Sequence, residues 1–129
     1  MKKVIIIVAS VLLVMLMTIG LFSWYRVNVK NTARVDGRKY PYDWRVREQN
    51  LTEETFNDLE IGMTYTEVVE KIGQQNGELN HNYLIIKIYY EIGYNSFIVL
   101  HFNSSEEQPE PRIKGIYLYD RDGMVKQIK

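Results

Sequence analysis

The chain has 129 residues, sixteen basic and sixteen acidic side chains, a formal net charge of zero and no cysteine. Without cysteine there is no disulfide framework, no thiol nucleophile and no thiolate metal site, and a lipoprotein signal, which must end on a lipid-modified cysteine, is excluded. Once a targeting segment is set aside, the length leaves room for one small domain.

The first element is apolar. Residues 4–22 (VIIIVASVLLVMLMTIGLF) carry no charge, and at about 1.5 Å per residue a helix of that length spans roughly 28 Å, close to the hydrocarbon core of a bilayer. A cleaved secretory signal has an apolar stretch of only about 7–15 residues and a small-x-small cleavage site. Here bulky Leu21, Phe22, Trp24 and Tyr25 fill the corresponding positions, so an uncleaved single-pass anchor over 1–23 is the favoured reading. Trp24, Tyr25 and Arg26 fit the membrane interface as amphipathic rings and a snorkelling cation. Lys2 and Lys3 argue for an inside N-terminus, whereas Arg26, Lys30, Arg34, Arg38 and Lys39 argue for retention of the other flank. The short dibasic tail, the usual start of an export signal, favours an extracytoplasmic C-terminal part held in the cytoplasmic membrane.

Residues 24–50 carry seven basic and three acidic side chains, and 51–129 carry seven basic and thirteen acidic. The first stretch reads as a basic connector: a solvated stalk, or one attracted to anionic headgroups or envelope polyanions, at about 1 kcal/mol per cation near a surface. The acidic second stretch lacks the basic stripe of a nucleic-acid binder.

Within 51–129 the pattern predicts two short helices. The first covers 52–59, with carboxylates Glu53 and Glu54 in its first turn. The second starts at Thr64, whose partner Glu67 completes a capping box, and stops at Gly73; Val68, Val69 and Ile72 form its apolar stripe. After 73–77 the period becomes two: 83–91 and 96–102 read as a hairpin, and 113–119 and 124–128 as two further strands around an Asp122-Gly123 turn. The expected fold is α+β: after the transmembrane helix, two short helices on one face of a four-stranded antiparallel sheet.

The run 56–73 (FNDLEIGMTYTEVVEKIG), with its apolar residue before Gly-Met-Thr, its Glu-Val helix and its closing glycine, resembles the opening of the SmpA/OmlA-type envelope domain. The same helices-then-sheet order is shared with β-lactamase-inhibitory-protein-like modules. The resemblance extends over about residues 52–129 and implies a non-enzymatic, envelope-anchored module that binds other proteins through its sheet face and loops.

Candidate chemistry is sparse. His81 and His101 lack metal-ligand spacing, and Asp120-Arg121-Asp122-Gly123 lacks the remaining ligands of a calcium loop and reads as a turn. Ser104-Ser105 has no elbow motif or paired base. Asn50-Leu51-Thr52 and Asn103-Ser104-Ser105 match the glycosylation sequon at a rate expected by chance. No cofactor, metal, small-molecule substrate or catalytic residue is implied.

The sheet pattern is more informative. Leu84, Ile86, Ile88 and Tyr90 share a face with Ile98, Leu100, Phe102, Ile116 and Leu118, which should pack on the helices. The opposite face carries Tyr83, Ile85, Tyr89, Phe97, Val99, His101, Tyr117 and Tyr119. Either these rings pair across strands, or Tyr83, Tyr89, Phe97, His101, Tyr117 and Tyr119 form a partner-binding surface. The sequence thus points to a membrane-anchored interaction module with an envelope protein partner. The alternative is an accessory subunit acting through its transmembrane helix, for which Ala9, Ser10, Thr18 and Gly20, without Gly-x-x-x-Gly, give weak support.

Overall fold

A run dominated by valine, isoleucine, leucine and methionine forms α1 (Lys2–Tyr25), none of whose residues is buried. It is long and apolar enough to cross a membrane. Within its apolar stretch, Ser10 donates to the Ile6 carbonyl and Thr18 to the Val14 carbonyl, both at 2.8 Å, so both hydroxyls are satisfied inside the helix. The path continues as a wider π-type turn over Arg26–Lys30. The computed structural model describes residues 1–30, 32–42, 50–82 and 84–129, and the chain divides into two compact units, Met1–Asn31 and Thr32–Lys129.

The second unit is α+β, but among the described residues it holds seven strands in two sheets rather than one sheet of four. A two-stranded hairpin, β1 (Thr32–Val35) and β2 (Arg38–Pro41), comes first. Five strands then form an antiparallel meander in chain order: β3 (Gly77–His81), β4 (Ile85–Gly93), β5 (Ser96–Asn103), β6 (Arg112–Asp120) and β7 (Met124–Gln127). The edge strand β3, sequence GELNH, has no apolar alternation, so no strand was expected there. It is held instead by its ladder to β4.

The helices follow their caps. In α2 (Tyr65–Ile72) the Thr64 hydroxyl accepts from the Glu67 amide at 3.2 Å and the Glu67 carboxylate accepts from the Thr64 amide at 2.9 Å. Gly73 ends the helix at φ 91°, a conformation that favours glycine. The segment expected as a first helix over 52–59 is a 3₁₀ helix, Glu53–Asp58, whose carbonyls tighten to i+3 partners.

Both pack on one face of the five-stranded sheet, as the pattern requires. Phe56, Leu59, Val68 and Ile72 meet Ile88, Tyr90, Ile98, Leu100, Phe102 and Ile116 in the first core. Phe56 sets its ring edge against Tyr90 at 5.4 Å, and the Tyr90 hydroxyl donates to the Gly73 carbonyl at 2.8 Å, tying sheet to helix end. Leu84, expected on this face, precedes β4 and is 47% exposed.

Candidate functional site

The second sheet face is where the structure departs most from the sequence reading. The stretch 24–50 is not an unstructured connector throughout, because β1 and β2 fold onto the face expected to be open. Asp36 and Gly37 take φ of 53° and 72°, both positive, as a two-residue hairpin turn that follows strand twist requires. Pairing then sends Ala33 and Val35 inward, where Val35 is fully buried. They meet Tyr42, Tyr89, Phe97, Val99 and Tyr119 in a second core.

The hairpin lies across the sheet strands. At its tip, the Asp36 and Gly37 amides donate to the Asp120 and Arg121 carbonyls at 3.4 and 2.6 Å. At its far end the Tyr89 hydroxyl donates to the Pro41 carbonyl, and the Tyr42 hydroxyl donates to the Glu91 carboxylate. Two strand spacings separate β6 from β4, about 10 Å, and the hairpin covers that distance. Gly77 makes room: a Cβ there would stand 2.6 Å from the Pro41 carbonyl oxygen and 2.5 Å from the Tyr89 hydroxyl.

Three of the six residues expected to bind a partner are therefore core. Tyr89, Phe97 and Tyr119 are 0%, 3% and 9% exposed. Tyr89 and Phe97 pack edge to face at 5.6 Å. Burial raises the Tyr89 hydroxyl pKa above its usual range, helped by Tyr42 and Glu91 nearby, and burial followed by Asp36 raises that of Tyr119. Tyr83 lies outside the described residues.

His101 and Tyr117 are the other two, and they stay together at the edge of the second core, against which Tyr117 packs. Both are half-buried, with ring centroids 4.3 Å apart. Gly115, directly opposite His101 on β6, explains the contact. A Cβ there would stand 2.6 Å from the Tyr117 ring, so only glycine lets that ring lie flat along the strand next to the imidazole. On the other side of His101 stands Lys87 of β4. Burial, then the Lys87 charge, lowers the His101 pKa to about 4, which leaves the imidazole neutral at pH 7 and a poor base. Its Nε2 is buried without a hydrogen-bond partner among the described residues. An orphaned buried polar atom costs about 1–3 kcal/mol, a cost the fold itself carries at this position. Ile85, 37% exposed and on the same face by alternation, borders this strip.

Elsewhere, the Asp120 carboxylate accepts from the amides of Asp122 and Gly123 at 2.7 and 2.9 Å, closing the turn to β7. At the end of α1, Trp24 and Tyr25 are 59% and 48% exposed, and the Arg26 guanidinium lies 5.8 Å from the Phe22 ring centroid. Lys87 and Gly115 escaped the sequence reading because a strand lysine and a strand glycine carry no signal without the register. The hairpin did carry one, since Asp36-Gly37 stands between Ala33, Val35 and Tyr40. No protein-family model, curated protein or solved structure matches the chain.

Proposed function

We propose that this chain is a single-pass membrane protein whose α+β domain lies outside the cytoplasm and binds an envelope protein, without catalysis of its own. The observation that carries the reading is α1, a 24-residue apolar helix with no buried residue, followed by a separately packed unit. A helix apolar all round with no core to enter belongs in lipid. The dibasic start supports the outward orientation, and the resemblance to envelope modules supports a binding role. The binding surface is narrower than the aromatic pattern suggested: the strip of Ile85, Lys87, His101 and Tyr117, where exposed Ile85 and the half-buried Lys87, His101 and Tyr117 side chains offer an apolar, a cationic and an aromatic contact.

One experiment tests topology and surface together. The chain has no cysteine, so Ile85→Cys accepts a membrane-impermeant maleimide photocrosslinker at a single site in intact cells. Labelling before lysis, followed by a discrete adduct absent when the same reagent is placed at Glu70→Cys on α2, is the expected result. Labelling only after lysis would reverse the orientation. An adduct that vanishes when α1 is exchanged for an unrelated apolar helix would transfer the function to the transmembrane segment.

A further inference from the structure

The hairpin that closes the second core has an outward face of its own. Register sets Arg34 directly opposite Lys39, on the side away from Ala33 and Val35. Both cations are exposed, as is Arg38 beside the turn. Like charges directly opposite across a strand pair destabilise it, yet among the described residues none of the three has an ion-pair partner. The hairpin's single carboxylate, Asp36, sits in the turn next to Gly123. A strand pair that breaks a local rule without internal compensation is where an external counter-charge is expected.

The rest of the domain shows what that counter-charge must be large enough to orient. Residues 32–42 carry three basic and one acidic side chain, against seven basic and thirteen acidic over 51–129. Many of those acids, among them Glu54, Glu67 and Glu70, are exposed on the helices packed against the opposite sheet face. An anionic plane would repel the helix side and attract the hairpin side. Such a plane is within reach of the tether. Only residues 23–31 separate the apolar run from Thr32, at most about 30 Å fully extended. The chain is helical as far as Lys30, which shortens the reach further.

We propose that the outward face of the β1–β2 hairpin docks on anionic phospholipid headgroups of the bilayer that α1 crosses. The inference rests on the anchoring reading and goes beyond it. Headgroup phosphates accept hydrogen bonds from Arg34 and Lys39, turn their mutual repulsion into shared attraction, and hold the acidic helix side away from the surface.

The full chain, with a bimane fluorophore on Pro41→Cys, is reconstituted into vesicles of phosphatidylcholine alone or with a quarter phosphatidylglycerol. Quenching by headgroup-labelled lipid reports docking. Strong quenching in the anionic vesicles alone is expected, suppressed by high salt. At about fivefold per cation near an anionic surface, Arg34→Gln with Lys39→Gln should lower the docked-to-free ratio about 30-fold, with an unchanged near-ultraviolet circular dichroism spectrum. Quenching equal in both vesicles, or unchanged in the double variant, overturns the proposal. So does binding of soluble polyphosphate, lost with the same substitutions, if phosphatidylglycerol adds no quenching. Release of the chain by alkaline carbonate from both vesicle types is a separate result that would overturn the anchoring reading, and the docking with it.

Discussion

Val35→Ala should destabilise the domain by about 2–3 kcal/mol. Val35 is fully buried among Tyr89, Phe97, Val99 and Tyr119. The substitution removes two buried carbons, about 0.8 kcal/mol each by transfer, and the large rigid rings around them close the resulting cavity poorly, which adds a term of similar size. In the unit Thr32–Lys129, close to 100 residues, that corresponds to a fall in melting temperature of about 10–20 °C. Arg34→Ala, one position away and exposed, should stay within about 0.5 kcal/mol of the parent. The assay is thermal unfolding of the full chain in detergent micelles followed by near-ultraviolet circular dichroism, because the tyrosines report the second core while α1 dominates the far-ultraviolet signal. If both variants melt within about 4 °C of the parent, residues 32–42 are a solvated stalk and the second core does not exist.

In the same assay, Ile72→Asp, which puts a charge at an 8%-exposed position against the first core, should abolish the cooperative transition, since the penalty rivals the whole stability of such a domain. Glu70→Ala, exposed on the same helix, should lie within about 0.5 kcal/mol of the parent. Acidification should weaken the domain through His101: its folded pKa of about 4 lies below the ordinary 6.5, so the unfolded chain takes up a proton that the folded one refuses, and stability is lost as pH falls from 6.5 towards 4. With the ring half-exposed, the loss by pH 5 is about 1 kcal/mol. His101→Phe should flatten the stability profile between pH 6.5 and 5, and an unchanged slope would show that the imidazole protonates as freely in the fold as outside it.

What was legible in the sequence follows from which signals are local. The capping box of Thr64 and Glu67, the stop at Gly73 and the alternation in β4, β5 and β6 are short-range patterns, and all three appear in the structure. The alternation also sorted Tyr90 and Tyr89 onto opposite faces correctly. It could not say what covers each face. A strand with large apolar residues on both sides is sandwiched, and the missing layer was the nearby Asp36-Gly37 hairpin, disguised by its basic composition. β3 was hidden for a different reason: its polar residues are held by backbone pairing at a sheet edge, which leaves little imprint on side-chain choice. His101 and Tyr117 were picked out as residues, but their juxtaposition depends on Gly115 and on register, neither of which is written in neighbouring letters.

The hairpin also imposes an order of assembly. Val35 emerges early in synthesis, yet its packing partner Tyr119 follows 84 positions later. At roughly 5–20 residues per second, the first strand made waits on the order of ten seconds for the surface it closes. A chain truncated before β6 lacks the strand that holds Tyr117, Tyr119 and the contact for the hairpin tip, so it leaves Phe97 and Val99 without their cover. Completion of β6 is thus the step that closes the second core over the hairpin, Phe97 and Val99.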